Sequence, residues 1–191
     1  CATVLAQMWE LLRNADVTFG NLEGTILDEG GTPKRCSNPD ACYVFRSPES
    51  YVSHFAHAGF DFLSIANNHS GDFGLTGRER TKSVLKKAGI AFAGLAGTDE
   101  YAIIERSGLK FGMAAFSPNW GTNSIHDYGK ARELVAMLDR ECDVVIVSFH
   151  GGAEGKDHQN VPRKSETYYG ENRGDVYKFS HAMVDAGADI I

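Results

Sequence analysis

Apolar Val4, Leu5, Met8, Leu11 and Leu12 recur at helical spacing, which predicts a first helix near the start of the chain. Asp16 to Gly20 reads as a short strand running into the polar Asn21-Leu22-Glu23-Gly24. Residues 25–47 read as loop, with Gly30, Gly31, Pro33 and Pro39 as breakers. A second helix opens at Pro48, with Ser47 as its predicted N-cap, and ends near Gly59. Phe60 to Ala66 is a buried strand, and roughly Thr76 to Ala88 is a helix closed by Gly89.

The second half keeps alternating. Ile90 to Ala93 is a short strand, and the runs 101–106 and 109–116 form a hairpin around Ser107-Gly108. A helix is expected over about 129–140, then the β-branched run Asp143 to Ser148, the strongest central-strand signal in the chain. A long polar loop, 151–170, leads to a last helix over about 174–186. Ala188 to Ile191 reads as the beginning of another buried strand. Strands alternating with helices, plus one antiparallel hairpin, predict an α/β sandwich with a mixed sheet. No linker or repeat divides residues 1–191, so one domain is expected, and its ends suggest an excerpt of a longer chain.

Composition narrows the function classes. The chain has 191 residues, with 42% hydrophobic and 23% charged, the make-up of a globular domain. Its net charge of −6 argues against a nucleic-acid partner, since phosphate binding needs a basic face. No run of about 18 apolar residues is present, so no transmembrane segment is expected within this piece. Cys142, beside an apolar run, is expected to be a buried thiol. Cys36 and Cys42 flank the turn-rich 37–41, which can bring them together as a disulfide, as in exported proteins. Two unrelated loop thiols is the other reading.

Three polar clusters each follow a predicted strand: Phe19-Gly20-Asn21-Leu22-Glu23-Gly24, Ala66-Asn67-Asn68-His69-Ser70-Gly71-Asp72-Phe73-Gly74, and Ser148-Phe149-His150-Gly151-Gly152-Ala153-Glu154-Gly155. In open α/β sheets, ligands collect outside the carboxyl ends of the strands, so three distant stretches are expected on one rim. Each brings oxygen or nitrogen donors suited to hard and borderline divalent metals. Separately, each has an ordinary alternative: Glu23 in solvent, Asn67-Asn68 capping a turn, His150 satisfied in the core. Asp72 and Glu154 either orient a ligand imidazole or are loop carboxylates in solvent. Arg46 and Arg173 either meet an anionic substrate through their planar forks or lie on the surface. No Walker lysine loop, dinucleotide glycine fingerprint, His-Glu-x-x-His or Gly-x-Ser-x-Gly occurs.

Asn-Leu-Glu, then Ser-Ile-Ala-Asn-Asn-His-x-x-Asp-Phe-Gly, then Ser-Phe-His-Gly-Gly-Ala-Glu resembles the CapA family of poly-gamma-glutamate capsule biosynthesis proteins. That family is a branch of the calcineurin-like metallophosphoesterase superfamily. The resemblance runs along essentially the whole chain and includes Lys34-Arg35-Cys36, Cys42 to Pro48 and Glu171 to Val176. It implies a metallophosphoesterase-like α/β sandwich, here a partial CapA-like domain. It assigns Glu23 as the bridging metal carboxylate, with Asn21 as the competing choice, and Asn68 and His150 as metal ligands. His69 becomes the catalytic acid. The implied cofactors are divalent ions of the manganese, zinc or iron type. The family's Gly-Asp and Gly-His-x-Pro-His motifs lie outside these residues, so a metal centre that is incomplete or absent is expected here.

Two functions follow from the resemblance. One is a metal-dependent hydrolase acting on a phosphoester or an anionic polymer, in an exported or envelope-associated bacterial protein. The other is a non-catalytic capsule-assembly component that uses the same rim to hold polymer or a partner of the capsule-synthesis machinery.

Overall fold

The computed structural model describes residues 5–36 and 42–191. Two three-stranded sheets form its centre. In the first, β1 (Phe19–Asn21), β4 (Phe62–Ser64) and β5 (Ala91–Ala93) are all parallel, in the order β1-β4-β5. In the second, β6 (Tyr101–Arg106) pairs antiparallel with β7 (Leu109–Phe116), and β7 pairs parallel with β8 (Val144–Phe149). The expected mixed sheet is therefore divided in two, and the α/β sandwich class stands.

Alternation along the strands decides the layering. Phe62 and Ala66 of the β4 segment meet Ala93, Met113, Ala115 and Ile146 in a core shared by the two sheets. The alternate residues Leu63 and Ile65 face the other way, onto Val84 and Leu85 of α3 (Gly74–Lys87). Val52 and Phe55 of α2 (Val52–Ala58) pack against the same cluster. On the second sheet Ala114, Phe116, Val145 and Val147 turn outward against α4 (Tyr128–Glu141) and α5 (Val176–Val184). The order is helices, sheet, sheet, helices. Each buried Leu, Val or Phe adds about 1.5–3 kcal/mol relative to exposure, which holds the strand ends in fixed relation.

The helix starts are set locally. Asp127 and Asp175 accept hydrogen bonds from the backbone N–H of Lys130 and Lys178, capping α4 and α5. Gly59 ends α2 in the left-handed conformation, at φ 87°.

Several expectations are corrected. The first helix, expected from Val4 to Leu12, is α1 (Trp9–Arg13) and buries no residue; Met8 and Leu11 of its apolar pattern are exposed. Residue 4 lies outside the described residues, as does the turn 37–41. The stretch 25–47, read as loop, contains a parallel pair, β2 (Thr25–Ile26) with β3 (Arg46–Ser47). Two-residue strands are too short to show a period. Ser47 is in β3 rather than capping a helix, and Pro48 leads into a 3-10 turn, Glu49–Tyr51, ahead of α2. The polar loop 151–170 holds a 3-10 turn, Lys156–His158, and β9 (Glu166–Tyr168), which pairs antiparallel with β10 (Glu171–Gly174). Cys142 is only half-buried. Near the end, Ile190 bridges Ile146 in parallel and its carbonyl accepts from Val147 N–H at 2.8 Å, but Ile190 is 45% exposed.

Among the described residues no helix is long and apolar enough to cross a membrane.

Candidate functional site

β1 and β4 run in parallel with Asn21 opposite Ser64, so the first two polar clusters leave the sheet at the same edge. Leu22 N–H donates to Ser64 O at 2.9 Å and continues the pairing one residue beyond β1. Asn67 then locks the clusters together. Its side chain is buried, and its Nδ2 donates to Asn21 Oδ1 at 3.1 Å and to Leu22 O at 2.9 Å. Its Oδ1 accepts from His69 N–H at 3.1 Å. Asn67 was a member of the second cluster in the sequence but not a site residue; the structure makes it the hub that sets the His69 backbone.

His69 is oriented from three sides. Its Nδ1 lies 2.7 Å from Asp72 Oδ2, and Asp72 is fully buried. A carboxylate there accepts a hydrogen bond from Nδ1–H, which leaves Nε2 as the ring nitrogen that faces the site. Phe45 stacks on the imidazole with ring centroids 4.0 Å apart, and its backbone N–H donates to Asp72 Oδ2 at 2.6 Å. Lys34 Nζ is 2.7 Å from Asp72 Oδ1 and donates to Asn68 O at 3.3 Å. Burial pushes the Asp72 carboxyl up, but hydrogen bonds from His69, Lys34 and Phe45 outweigh it and hold it below the ordinary aspartate range.

Asp72 is therefore buried against the His69 imidazole and does not lie in solvent as a loop carboxylate. Lys34 and Phe45 come from either side of the Cys36–Cys42 disulfide, whose Cα atoms are 5.5 Å apart. Neither residue was a candidate in the sequence, because nothing local in a loop announces a contact with His69.

A carboxylate from the first cluster faces His69 Nε2. Glu23 Oε1 lies 3.9 Å from His69 Nε2, while its Oε2 accepts from Asn21 Nδ2 at 2.7 Å. Both ends of the Asn21 amide are therefore engaged, and Glu23 is the one with a free oxygen. Asn68 Oδ1 is buried without a hydrogen-bond partner. An orphaned buried amide oxygen is costly unless an electrophile or donor completes it.

The third cluster arrives from the second sheet. His150 follows β8, and its backbone N–H donates to Phe116 O at 2.9 Å. Burial is the main cause that holds the imidazole below its ordinary value; Glu23 opposes this and Arg173 adds to it. Arg173, in β10, has a side chain only 5% exposed, with Nη1 3.0 Å from His150 Nε2 and 3.1 Å from Glu154 Oε1. Its Nε is 3.0 Å from Glu171 Oε2. Glu154 is more than half exposed and reaches the site only through Arg173. Arg46 is placed apart, exposed on β3 with its guanidinium 5.2 Å from the centre of the Phe73 ring.

The donor set partly fits a divalent metal. Glu23 Oε1 and Asn68 Oδ1 are oxygen acceptors with coordination capacity to spare, and burial lowers the pKa of His150, the direction that favours the neutral imidazole a metal needs. Its Nε2, however, faces Arg173. Among the described residues, no three His, Cys, Asp or Glu side chains are already grouped as a metal cage.

Residues 1–191 match the family described as Bacterial capsule synthesis protein PGA_cap. Capsule biosynthesis protein CapA of Bacillus anthracis is 27% identical over 198 residues, covering 94% of this chain and 44% of that protein. The uncharacterized protein y4sH of Sinorhizobium fredii is 40% identical over 93 residues, 47% of this chain and 20% of that one. The chain therefore spans less than half the length of these curated relatives. A solved Staphylococcus aureus structure, described as a candidate 5'-nucleotidase in complex with alpha-ketoglutarate, aligns with TM-score 0.43 at 14% identity, over 74% of this chain and 30% of that one. With its full length matched, the chain belongs to the bacterial capsule synthesis protein family PGA_cap.

Proposed function

We propose that this chain supplies part of a metal-dependent hydrolase site in an envelope-associated capsule biosynthesis protein. The substrate class is a phosphoester or the amide of a polyglutamate-type anionic polymer. The observation that carries the reading is the buried, unpartnered Asn68 Oδ1, one residue before His69, whose ring is fixed by Asp72 and whose Nε2 lies 3.9 Å from Glu23 Oε1. Glu23, Asn68 and His150 would hold a manganese-, zinc- or iron-type ion, which when bound supplies a Lewis acid and an activated water.

The chain's own residues supply the rest. Asp72 keeps the His69 proton on Nδ1, so Nε2 is free to carry a second proton and deliver it to a leaving oxygen. Phe45 covers one face of the ring and limits water access there. The Cys36–Cys42 disulfide supports an oxidising, exported setting.

The test is hydrolysis of p-nitrophenyl phosphate and of poly-gamma-glutamate by the longer protein, across manganese, zinc and iron. Activity is expected with at least one of these pairs and is expected to fall to background in Asn68→Ala and His150→Ala. Unchanged rates in both variants would sink the metal-rim reading. No turnover with any metal would favour the non-catalytic assembly role at the same rim.

A further inference from the structure

We propose that Arg173 is a built-in competitor for the His150 ligand nitrogen: its guanidinium holds the Nε2 lone pair that an incoming divalent metal requires. The proposal rests on the metal-site reading above and concerns what controls entry to that site.

The chemistry of the contact leaves one arrangement. A guanidinium has only donors, so with Nη1 at 3.0 Å, His150 Nε2 must be the acceptor and carry no proton. A ring nitrogen has a single in-plane lone pair. It cannot accept from Arg173 and bind a metal at once, and a second cation at that distance is repelled by the first.

The surroundings make the contact a built feature. The Arg173 side chain is 5% exposed, lies 5.7 Å from the centre of the Tyr168 ring, and is flanked by Glu154 and Glu171. Its own carbonyl accepts from Gly152 N–H at 2.8 Å, which ties β10 to the loop that carries His150. The backbone is thereby pinned, and exchange falls to the side chain. Glu154 and Glu171, each about half exposed, still balance the guanidinium after it leaves His150. Release costs one charge-assisted hydrogen bond to His150, made by the Nη1 that also meets Glu154, while the contact with Glu171 is made by a different nitrogen, Nε. Such a bond contributes modestly in net terms, so the effect on metal affinity is expected to be about tenfold.

Arg173→Met removes the donor and keeps the length. Cobalt(II) is the probe, followed by calorimetry and by its visible absorption. The folded Arg173→Met chain is expected to bind cobalt about tenfold more tightly than the unsubstituted chain. In a His150→Ala background the same substitution is expected to gain nothing. A gain of equal size without His150 would be a general charge effect and would overturn the proposal, as would unchanged or weaker affinity in Arg173→Met.

If Arg173→Met fails to fold, nitrogen NMR of the His150 ring in the unsubstituted chain decides. Cobalt is expected to perturb Nε2 and to release the Arg173 contact together, whereas binding through Nδ1 would end the proposal. Cobalt binding that is lost in His150→Ala but not tightened in Arg173→Met sinks this inference alone. No cobalt binding by any form sinks the metal-site reading with it.

Discussion

Asp72→Ala is expected to destabilise the folded chain by about 3 kcal/mol, the general cost of stripping one member from a buried, hydrogen-bonded charge cluster. Asp72 is fully buried and serves His69 Nδ1, the Phe45 N–H and Lys34 simultaneously, so its loss leaves three donors unsatisfied at once. Lys34 is partly exposed and can regain water, which keeps the figure at the low end of that range. Urea unfolding measures it, and a loss under about 1 kcal/mol would show that the cluster contributes little. The pH dependence follows in sign. The carboxyl is held below its ordinary value, so its stabilisation is complete above an unfolded-state pKa of about 3.9. It is lost as pH falls through the lower folded-state value. The unsubstituted chain is therefore expected to lose stability more steeply below about pH 4 than Asp72→Asn, which lacks this titration.

The second large effect is expected at Gly94, which connects packing to the site. Gly94 has φ +127°, and a Cβ there would lie 2.5 Å from Ala66 Cβ and 2.9 Å from Ala66 N. Ala66 sits in the inter-sheet core immediately ahead of Asn67. Neither backbone nor a methyl group can retreat like the end of a long side chain. Gly94→Ala therefore combines a strained conformation with overpacking, and a loss of about 2–4 kcal/mol is expected from the two together. Because the shift falls on the segment that ends in Asn67, the amide signals of His69 and Leu22 are expected to move as well. A Gly94→Ala chain with unchanged melting temperature and unmoved His69 would contradict the packing argument.

The runs that build β4, β7 and β8 are long or strongly β-branched, and their alternation survives into the faces they show in the structure. The polar clusters stand directly after strands, so the rule that strand ends collect ligands was enough to bring Asn21, Glu23, Asn67 and His69 to one edge.

What stayed hidden has two physical causes. β2 and β3 are two residues each, and β9 and β10 form a short polar hairpin, so none carries a periodic signal. The contacts of Lys34, Phe45 and Arg173 join loops far apart in the chain, and residue type alone does not say which loop meets which. Arg173 shows the limit best. Its fork was read as a group for an anionic ligand or the surface, and the structure buries it against His150. The apolar pattern of the first helix failed in the opposite direction, since Met8 and Leu11 have the spacing of a buried face and lie exposed.

Glu23, Asn68 and His150 are proposed to form a half-site for one metal ion at the strand ends. Calorimetric titration of the chain with manganese tests it most directly, with Asn68→Ala and His150→Ala alongside. About one weakly bound equivalent is expected, lost in both variants, as for about three protein ligands in an open site. Two tight equivalents, or binding that survives both substitutions, would contradict it.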